Sequence, residues 1–321
     1  MEKKELILTL LNIKRLGRKT INSMLNYGVP NTLETKEILN YINLSKQKVK
    51  KIPKVNEYDI EEAKLKSLQI IQNCQRQNIG ILTLLDEDFP KKLKIIEDNP
   101  VILYYKGDKN CLSRDSIAVI GTRKPTAHGE RVSYKLSSIL SQRGYCIVSG
   151  LAKGCDTFAH LGSLSVLGKT IAVMPCGLDT IYPKDNSNLF NKIIDDGGCV
   201  ISEYPPGQKL FKNQLVERDR LQSALSEAVV VVETTINGGT LHTVNYAFNQ
   251  NKKVACYKHS EKYIGENAVQ GNLKLLESKE VTSICSIESI EQFIEKLKNQ
   301  NNYDKLNQKN YIDVNQIEFK I

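Results

Sequence analysis

Several features of membrane and secreted proteins are missing from this sequence. No apolar run approaches the ~18 residues that a membrane-spanning helix requires. The first five residues, Met1 to Glu5, carry charges of both signs and do not form the apolar core of a signal peptide. We therefore expect a cytoplasmic protein without a membrane partner.

Metal-ligand patterns are missing as well. The eight cysteines form no Cys-x-x-Cys pair, and the four histidines, at positions 128, 160, 242 and 259, show no metal spacing. Several cysteines lie in or beside apolar runs, where a reduced thiol packs as a small hydrophobic group. The pattern predicts inert thiols and no metal site.

The usual nucleotide motifs are also lacking. There is no Gly-x-x-x-x-Gly-Lys-(Ser/Thr) loop, and the segment 121–125 departs from Gly-x-Gly-x-x-Gly, so neither ATP hydrolysis nor a dinucleotide cofactor is expected. Acidic residues near predicted strand ends form no spaced pair, and no nucleophile lies beside an evident base. We predict a binding protein rather than an enzyme, with no cofactor.

What the sequence does have is an excess of positive charge. Lys and Arg number 45 against 36 Asp and Glu, giving a formal net charge of +9 over 321 residues. An excess of this size favours a polyanionic partner, although a solvated basic surface is the alternative. The apolar content of 40% is enough for a full core, and the length allows two domains.

Residues 1–85 are predicted to form a small helical domain. Leu6, Ile7, Leu10 and Leu11 have helical spacing. The turn at 13–20 resembles a helix-hairpin-helix, with Arg15 in place of the first glycine of the usual Gly-x-Gly. The domain is therefore SAM-like or helix-hairpin-helix-like, or it holds an ordinary turn between two helices.

The middle of the chain alternates short Val/Ile-rich runs with helical patterns, which predicts an α/β fold. This alternation indicates a parallel sheet with right-handed crossovers and helices on both faces. The segment 86–110 is expected to connect the helical domain to it and to hold an edge strand. Residues 259–321 are expected to form an extension with a helix near 286–298 and a polar tail. The predicted strands are 117–121, 145–149, 170–174, 199–202, 228–233 and 253–257, and the predicted helices are 127–142, 156–167, 187–196, 217–226 and 240–250.

Two of the predicted strands end in the same way. Strand 117–121 ends at Gly121 and continues into Thr122 and Arg123, and strand 145–149 is followed by Gly150 and Lys153. Glycine lets a ligand approach the backbone, and the amides at the start of the next helix attract an anion. Such turns lie at the carboxyl edge of a parallel sheet. They predict a pocket for a negatively charged ligand.

Other candidates lie near the same edge. Arg218 and Arg220 start a predicted helix, where a cation opposes the helix dipole, so a bound anion or an acidic neighbour is expected beside them. Glycines in the segment 238–240 could expose backbone amides, or the segment could be a plain turn capped by Thr240. Phe158 and Tyr182 could stack on bases or pack in the core.

From Asp86 to Lys258 the chain resembles the DNA-processing protein A (DprA/Smf) family. The family's Gly-(Ser/Thr)-Arg motif matches Gly121 to Arg123, and its Ser-Gly-x-Ala-(Arg/Lys)-Gly motif matches Ser149 to Gly154. These two matches extend over the segments 119–129 and 149–160, and four further motifs of the family are similar to the segments 89–93, 100–107, 174–186 and 201–207.

The resemblance implies an extended Rossmann-like domain at 86–258 that binds single-stranded DNA. It implies that the protein protects DNA and helps load a RecA-type recombinase in recombination or natural transformation, as a homodimer. The 229–250 segment is our candidate for the dimer contact. The DNA-binding residues expected from the pattern and the resemblance are Gly121, Thr122, Arg123, Ser149, Gly150, Lys153, Gly154, Phe158, Arg218, Arg220, Gly238, Gly239 and Thr240.

Two departures mark a divergent member of the family. Asp219 replaces the family's Asn between two arginines, and Gly238-Gly239-Thr240 replaces its Ser-Gly-(Ser/Thr). No counterpart of a C-terminal winged helix is evident. The alternatives are a sensor of a nucleotide-derived ligand, as in antiphage defence, and a nucleotide phosphoribohydrolase. The catalytic Glu position of these hydrolases corresponds to Thr243, which argues against hydrolysis.

Overall fold

The computed structural model describes residues 3–299, which form a nine-stranded sheet covered by helices. No helix in this range is long and apolar enough to cross a membrane. The strands are β1 (Gly80–Thr83), β2 (Ile102–Gly107), β3 (Ser116–Ile120), β4 (Cys146–Ser149), β5 (Thr170–Val173), β6 (Cys199–Ser202), β7 (Ala228–Val231), β8 (Lys253–Tyr257) and β9 (Val281–Ile284). The helices are α1 (Lys3–Asn12), α2 (Arg18–Leu25), α3 (Thr35–Ser45), α4 (Glu57–Arg76), α5 (Lys91–Lys94), α6 (Ala127–Gln142), α7 (Cys155–Leu164), α8 (Ser187–Asp195), α9 (Lys212–Glu217), α10 (Asp219–Leu225), α11 (Thr240–Asn249), α12 (Gln270–Leu276) and α13 (287–299).

The strand order is β1-β2-β6-β5-β4-β3-β7-β8-β9. All neighbouring pairs from β6 to β9 are parallel, whereas β2 is antiparallel to both β1 and β6. The predicted α/β class, with an extended Rossmann-like sheet and an N-terminal helical part, is confirmed. The strand predicted near 101–107 is present as β2. The prediction that it forms an edge is wrong, because β2 lies inside the sheet and β1 forms the edge.

The sheet extends past both ends of the 86–258 segment. Strand β1 precedes it, β9 follows it, and α13 packs on the core through Phe293 and Ile294. Each outer strand has only two strongly apolar residues, Ile81 and Leu82 in β1 and Val281 and Ile284 in β9, so no continuous apolar run distinguishes it from the neighbouring segments. The predicted C-terminal helix is confirmed as α13, and the predicted polar tail lies outside the described residues.

Alternating side chains of the central strands reach opposite faces of the sheet. In β3, Ile117 and Val119 pack on the side of α6, α7 and α13, while Ala118 and Ile120 pack on the side of α10 and α11. Burial on both faces explains why these strands are almost continuously apolar. Seven of the eight free cysteines are buried, as predicted, and Cys285 is exposed.

The N-terminal helices share one apolar cluster with the sheet. Leu6 and Ile7 of α1 are fully buried in the cluster that includes Tyr104 of β2. Arg15 has a positive φ of 69° at the position where the hairpin motif has its first glycine. Arg18, in the same turn, forms an ion pair of 2.6 Å with Asp98. The turn therefore fastens the helical domain to the rest of the protein.

Candidate functional site

The candidate site is a cleft at the carboxyl ends of β3 and β7. Strand β3 lies between β4 and β7, and the chain leaves β3 toward β4. At such a switch point, connections on the two sides of the sheet diverge and leave a crevice. The cleft has a volume of about 1200 Å³, and its walls come from the segments 120–126, 210–222, 235–243 and 266–268.

The loop after β3 is held in place by Glu233, which follows β7. The Thr122 amide donates to the Glu233 carbonyl over 2.7 Å. The Glu233 carboxylate accepts hydrogen bonds from the Thr126 amide (2.8 Å) and hydroxyl (2.7 Å). A Cβ at Gly121 would lie 2.4 Å from the Cys155 sulfur. Gly121 is therefore required for packing, and both ends of the loop are fixed.

The rim of the cleft carries three exposed cations. Arg123, Lys124 and Lys212 line the cleft, and their side chains form no hydrogen bond or ion pair with any residue in the described part of the chain. Each can therefore pair with an external anion without breaking an internal contact. Arg123 was predicted from the sequence, and the structure places it in the cleft wall.

Arg218 lies in the cleft floor rather than on the rim. It is only 6% exposed, and its Nη1 donates to the Val173 carbonyl over 2.6 Å. Its Nε lies 3.0 Å from Oδ1 of Asp219, which is the acidic neighbour expected for a cation at a helix start. A Cβ at Gly150 would overlap the Arg218 guanidinium, at 1.9 Å from Nη1. The predicted Gly150 thus makes room for an arginine, not for a ligand.

Two buried carboxyl groups accompany Arg218. Asp156 accepts hydrogen bonds from the amides of Gly150 (3.0 Å) and Ala152 (3.3 Å), and its burial raises its pKa. Burial also raises the pKa of Asp219 to about 6, against an opposing effect of Arg218. The floor therefore combines one internal ion pair with acceptor groups, while the free positive charge lies on the rim.

Besides Gly150 and Arg220, four predicted residues lie outside the cleft walls. Ser149 is buried, and its hydroxyl donates to the Val119 carbonyl over 2.8 Å. Gly154, with φ of 79°, starts α7, and Phe158 is half-buried on that helix. Lys153 forms an exposed ion pair with Asp185. Of these four, Lys153 has the accessible cationic group that a phosphate contact needs.

Arg220 corrects our sequence interpretation. We expected it to line the same pocket as Arg218, but it is only 1% exposed and points away from the cleft. Its guanidinium contacts Glu203 at 2.6 and 2.7 Å and donates to the Asp98 carbonyl over 2.9 Å. Residues two apart on a helix do not share a face, so the spacing already argued against a common pocket.

The segment 238–240 lies in the cleft wall, as predicted. A Cβ at Gly238 would lie 2.5 Å from the Thr234 hydroxyl, whereas Gly239 faces open space. Gly239 is the N-cap of α11, and Thr240 is the first helical residue. The suggested capping role of Thr240 is therefore wrong, because a side-chain cap must come from the residue before the helix.

Comparison with known proteins identifies the family. The sequence model of the family described as DNA recombination-mediator protein A matches residues 80–297, from β1 into α13. The chain belongs to this family. The resemblance found in the sequence is therefore confirmed over a longer stretch than 86–258.

Solved structures of this family share the fold. DNA processing protein A from Streptococcus pneumoniae aligns with a TM-score of 0.75 at 29% identity, over 90% of this chain and 97% of that one. The protein of the same name from Helicobacter pylori aligns with a TM-score of 0.60 at 30% identity, over 69% of this chain and 96% of that one.

Curated members of the family are longer than the matched region. Protein Smf from Synechocystis is 40% identical over 59% of this chain and 48% of its own length. The Bacillus subtilis DNA processing protein DprA is 35% identical over 61% of this chain and 66% of its own length. The match therefore spans about half to two thirds of these relatives.

Several residues of the cleft were missed by sequence reasoning. Lys212 and Gln222 line the cleft but fall in segments with no glycine-ended strand to mark them. Lys124 adjoins Arg123 and could have been included on that ground. The sequence also does not indicate that Asp156 and Asp219 influence each other, because they belong to α7 and α10, which are far apart in the chain.

We expect Asp219→Asn to raise the free energy of unfolding at pH 7.5. The difference from the wild type should become smaller below about pH 6. The pKa of Asp219 rises from 3.8 to about 6 on folding, so its burial penalty is fully present above that pH. The penalty is relieved as falling pH protonates the native carboxylate. Asparagine keeps the oxygen that accepts from Gln222 and does not titrate.

Urea denaturation at pH 5, 6 and 7.5 checks this expectation. The wild type and the Asp219→Asn variant share the charged groups that act on position 219, which are Arg218, Asp156 and Arg123. The comparison between them therefore isolates the Asp219 carboxylate. A stability difference that is the same at all three pH values would contradict the assignment of the raised pKa to Asp219.

Proposed function

We propose that this protein binds single-stranded DNA in the cleft at the ends of β3 and β7. The observation that carries the proposal is the group of exposed cations on the rim, Arg123, Lys124 and Lys212, none paired with a described residue. Phosphate contacts from such side chains give affinity without reading sequence. Lys153 adds a further contact if phosphate displaces Asp185, since an exposed ion pair contributes little.

The relatives support the choice of ligand. The Helicobacter pylori structure is described as showing a unique single-stranded DNA binding mode of that protein, and it shares 30% identity with this chain. Members of the family carry names that refer to DNA processing. We propose by extension that this chain protects single strands and helps load a RecA-type recombinase during recombination or transformation.

We propose a homodimer as the working form. Within the 229–250 segment, β7 pairs with β3 on one edge and β8 on the other, so it has no free edge for a second copy. Of the strand and the helix in that segment, α11 therefore remains as the candidate contact. Sedimentation at micromolar concentration tests this, and a monomer would contradict it.

Binding is measured by fluorescence anisotropy with labelled oligo-dT of 5 to 40 nucleotides, at low and high salt, with duplex DNA as competitor. We expect an affinity that grows with length, falls with salt and favours single strands. Tight binding of a mononucleotide with no dependence on length would instead favour a sensor. Absence of any binding would overturn the proposal.

The non-enzymatic reading and the recombinase role have separate tests. We propose no base release from nucleotides, and chromatography of mononucleotides incubated with the protein would reveal free base if this is wrong.

For the recombinase, the protein is expected to speed the DNA-dependent ATPase of RecA on strands already coated with single-strand-binding protein. The same delay before ATP hydrolysis with and without the protein would argue against loading.

A further inference from the structure

Most of the net positive charge of the chain lies in its N-terminal helical domain. Residues 1–80 contain 15 Lys and Arg against 8 Asp and Glu, which gives this quarter of the chain a formal net charge of +7. The whole chain carries +9, so the other three quarters, which include the cleft, carry only +2. The cleft therefore does not account for the basic character of the protein.

Five lysines of the N-terminal domain lie in one short segment. The segment 46–54, called the lysine loop below, lies between α3 and α4 and has no acidic residue; it contains Lys46, Lys48, Lys50, Lys51 and Lys54. The side chains of Lys50, Lys51 and Lys54 are exposed and form no hydrogen bond or ion pair with any of residues 3–299. Because these like charges repel one another, a bound anion would stabilise the loop.

The backbone of Lys51 gives an independent indication that the charge matters. Its φ is 68°, in the left-handed region that favours glycine and is unfavourable for a residue with a Cβ. The Lys51 side chain is exposed and contacts no described residue, so packing does not explain a lysine at this position. A role for the cation in binding does explain it.

A groove with exposed apolar side chains adjoins the lysine loop. It has a volume of about 400 Å³, and Tyr27, Val29 and Leu44, all exposed, contribute to its lining. Lys48 also lines it, with its Nζ 4.9 Å from the centre of the Tyr27 ring, so the loop and the groove meet. The acidic lining residue, Glu37, lies in the first turn of α3, whereas the lysine loop follows the last turn. Apolar side chains grouped on a surface in this way are typical of a binding site.

Lysines beside an apolar groove suit a single strand better than a duplex. Both forms of DNA supply phosphates for the cations. Only a single strand also has uncovered base faces, which can stack on an aromatic ring and pack against aliphatic side chains. In a duplex these faces are stacked inside the helix, so the groove would contribute nothing to its binding.

We infer that the N-terminal domain holds a second site for single-stranded DNA, in which the lysine loop contacts phosphates and Tyr27 stacks on a base. The inference rests on the proposed function for the identity of the ligand. The site itself is separate from the cleft, because the groove and the cleft share no lining residue. Two sites on one chain bind a strand that is long enough to reach both more tightly than either site alone.

A tryptophan at position 27 reports on this site directly. The chain has no tryptophan, so Tyr27→Trp introduces the only one, and Tyr58→Trp, at an exposed tyrosine outside the groove, is the matched control. Oligo-dT should quench the fluorescence of Tyr27→Trp in a saturable titration, because a base stacks on the indole, and it should leave Tyr58→Trp unchanged. Duplex DNA of the same length should quench Tyr27→Trp much less. The quenching should persist when Arg123→Ala and Lys212→Ala are added.

Charge reversal in the Tyr27→Trp protein tests the lysine loop. Changing the three unpaired lysines to glutamate should weaken the titration at least about tenfold, because phosphate contacts are lost and replaced by repulsion. A control protein has the same net charge, with three exposed lysines changed elsewhere, and should keep most of the affinity. The test set is Lys50→Glu, Lys51→Glu and Lys54→Glu, and the control set is Lys135→Glu, Lys279→Glu and Lys296→Glu.

The outcomes separate this inference from the proposed function. Unchanged fluorescence of Tyr27→Trp under conditions where anisotropy shows binding of oligo-dT would overturn the second site and leave the cleft proposal intact. Equal quenching by duplex DNA or by poly-glutamate, or equal weakening by both lysine sets, would also overturn it. Quenching of Tyr27→Trp in a protein whose affinity does not depend on Arg123 and Lys212 would instead overturn the cleft as the binding site.

Discussion

Replacing Arg123 and Lys212 with alanine is expected to lower the affinity for single-stranded DNA at least about tenfold. A hydrogen bond to a charged group contributes about 1.5–3 kcal/mol, so two lost contacts exceed the ~1.4 kcal/mol that corresponds to a factor of ten. Both side chains are exposed and lack partners among the described residues, so their loss leaves no buried group unpaired.

The salt dependence of binding gives an independent measure of the same contacts. Each phosphate contact to a single strand contributes about 0.7 to the slope of log affinity against log salt, so the double variant should reduce the slope by roughly 1.4. Anisotropy titrations at several salt concentrations provide both quantities. An affinity and slope equal to those of the wild type would remove these two residues from the interface.

Control variants separate this effect from a general loss of charge. Lys66→Ala removes an exposed lysine of α4 that pairs with Glu62, and it should leave DNA affinity unchanged. Lys153→Ala should have a smaller effect than Arg123→Ala, because Lys153 must first give up Asp185. The unfolding free energy of each of the four variants (the double variant, Lys66→Ala, Lys153→Ala and Arg123→Ala) should lie within about 0.5 kcal/mol of the wild-type value, as is usual for surface changes.

Arg220→Ala is expected to destabilise the protein by about 3–5 kcal/mol, which is the usual cost of removing one partner of a buried ion pair. Glu203 has 8% of its side chain exposed and would lose the arginine that contacts both of its oxygens. The Asp98 carbonyl would also lose a donor. Urea denaturation of the variant and the wild type measures the difference.

A paired substitution tests whether the unpaired charge is the cause. Arg220→Met with Glu203→Leu removes both charges and keeps much of the volume, so it should recover a large part of the stability lost in Arg220→Ala. The DNA affinity of the folded double variant should stay near that of the wild type, since Arg220 lies outside the cleft. A stable Arg220→Ala protein with weakened DNA binding would restore our original interpretation.

Much of the central fold could be predicted because local pattern and tertiary environment agree there. The predicted strands 199–202 and 253–257 coincide with β6 and β8, and the helix 127–142 coincides with α6. These strands are buried on both faces, so their apolar runs are continuous and easily distinguished from helices. The outer strands β1 and β9 were missed because each has only two strongly apolar residues, so no continuous apolar run marks them.

The glycines show where local reasoning reaches its limit. The sequence correctly indicated that Gly121 and Gly150 end strands at the edge of the sheet, but their crowding comes from Cys155 and Arg218, which belong to other elements. A strand that ends at a glycine predicts that another group packs closely against that glycine. Which group approaches depends on the packing of helices that are distant in the chain.

The sequence by itself determined the α/β alternation, the two glycine-ended strands and the family motifs, because each depends on residues close together in the chain. Only the tertiary structure decided the roles of the charged groups. Arg218 and Arg220 look alike in the sequence, yet one lies in the cleft floor beside Asp219 and the other pairs with Glu203 beneath the helical domain. A side chain's charge acts through its neighbours and its exposure to water, and folding sets both.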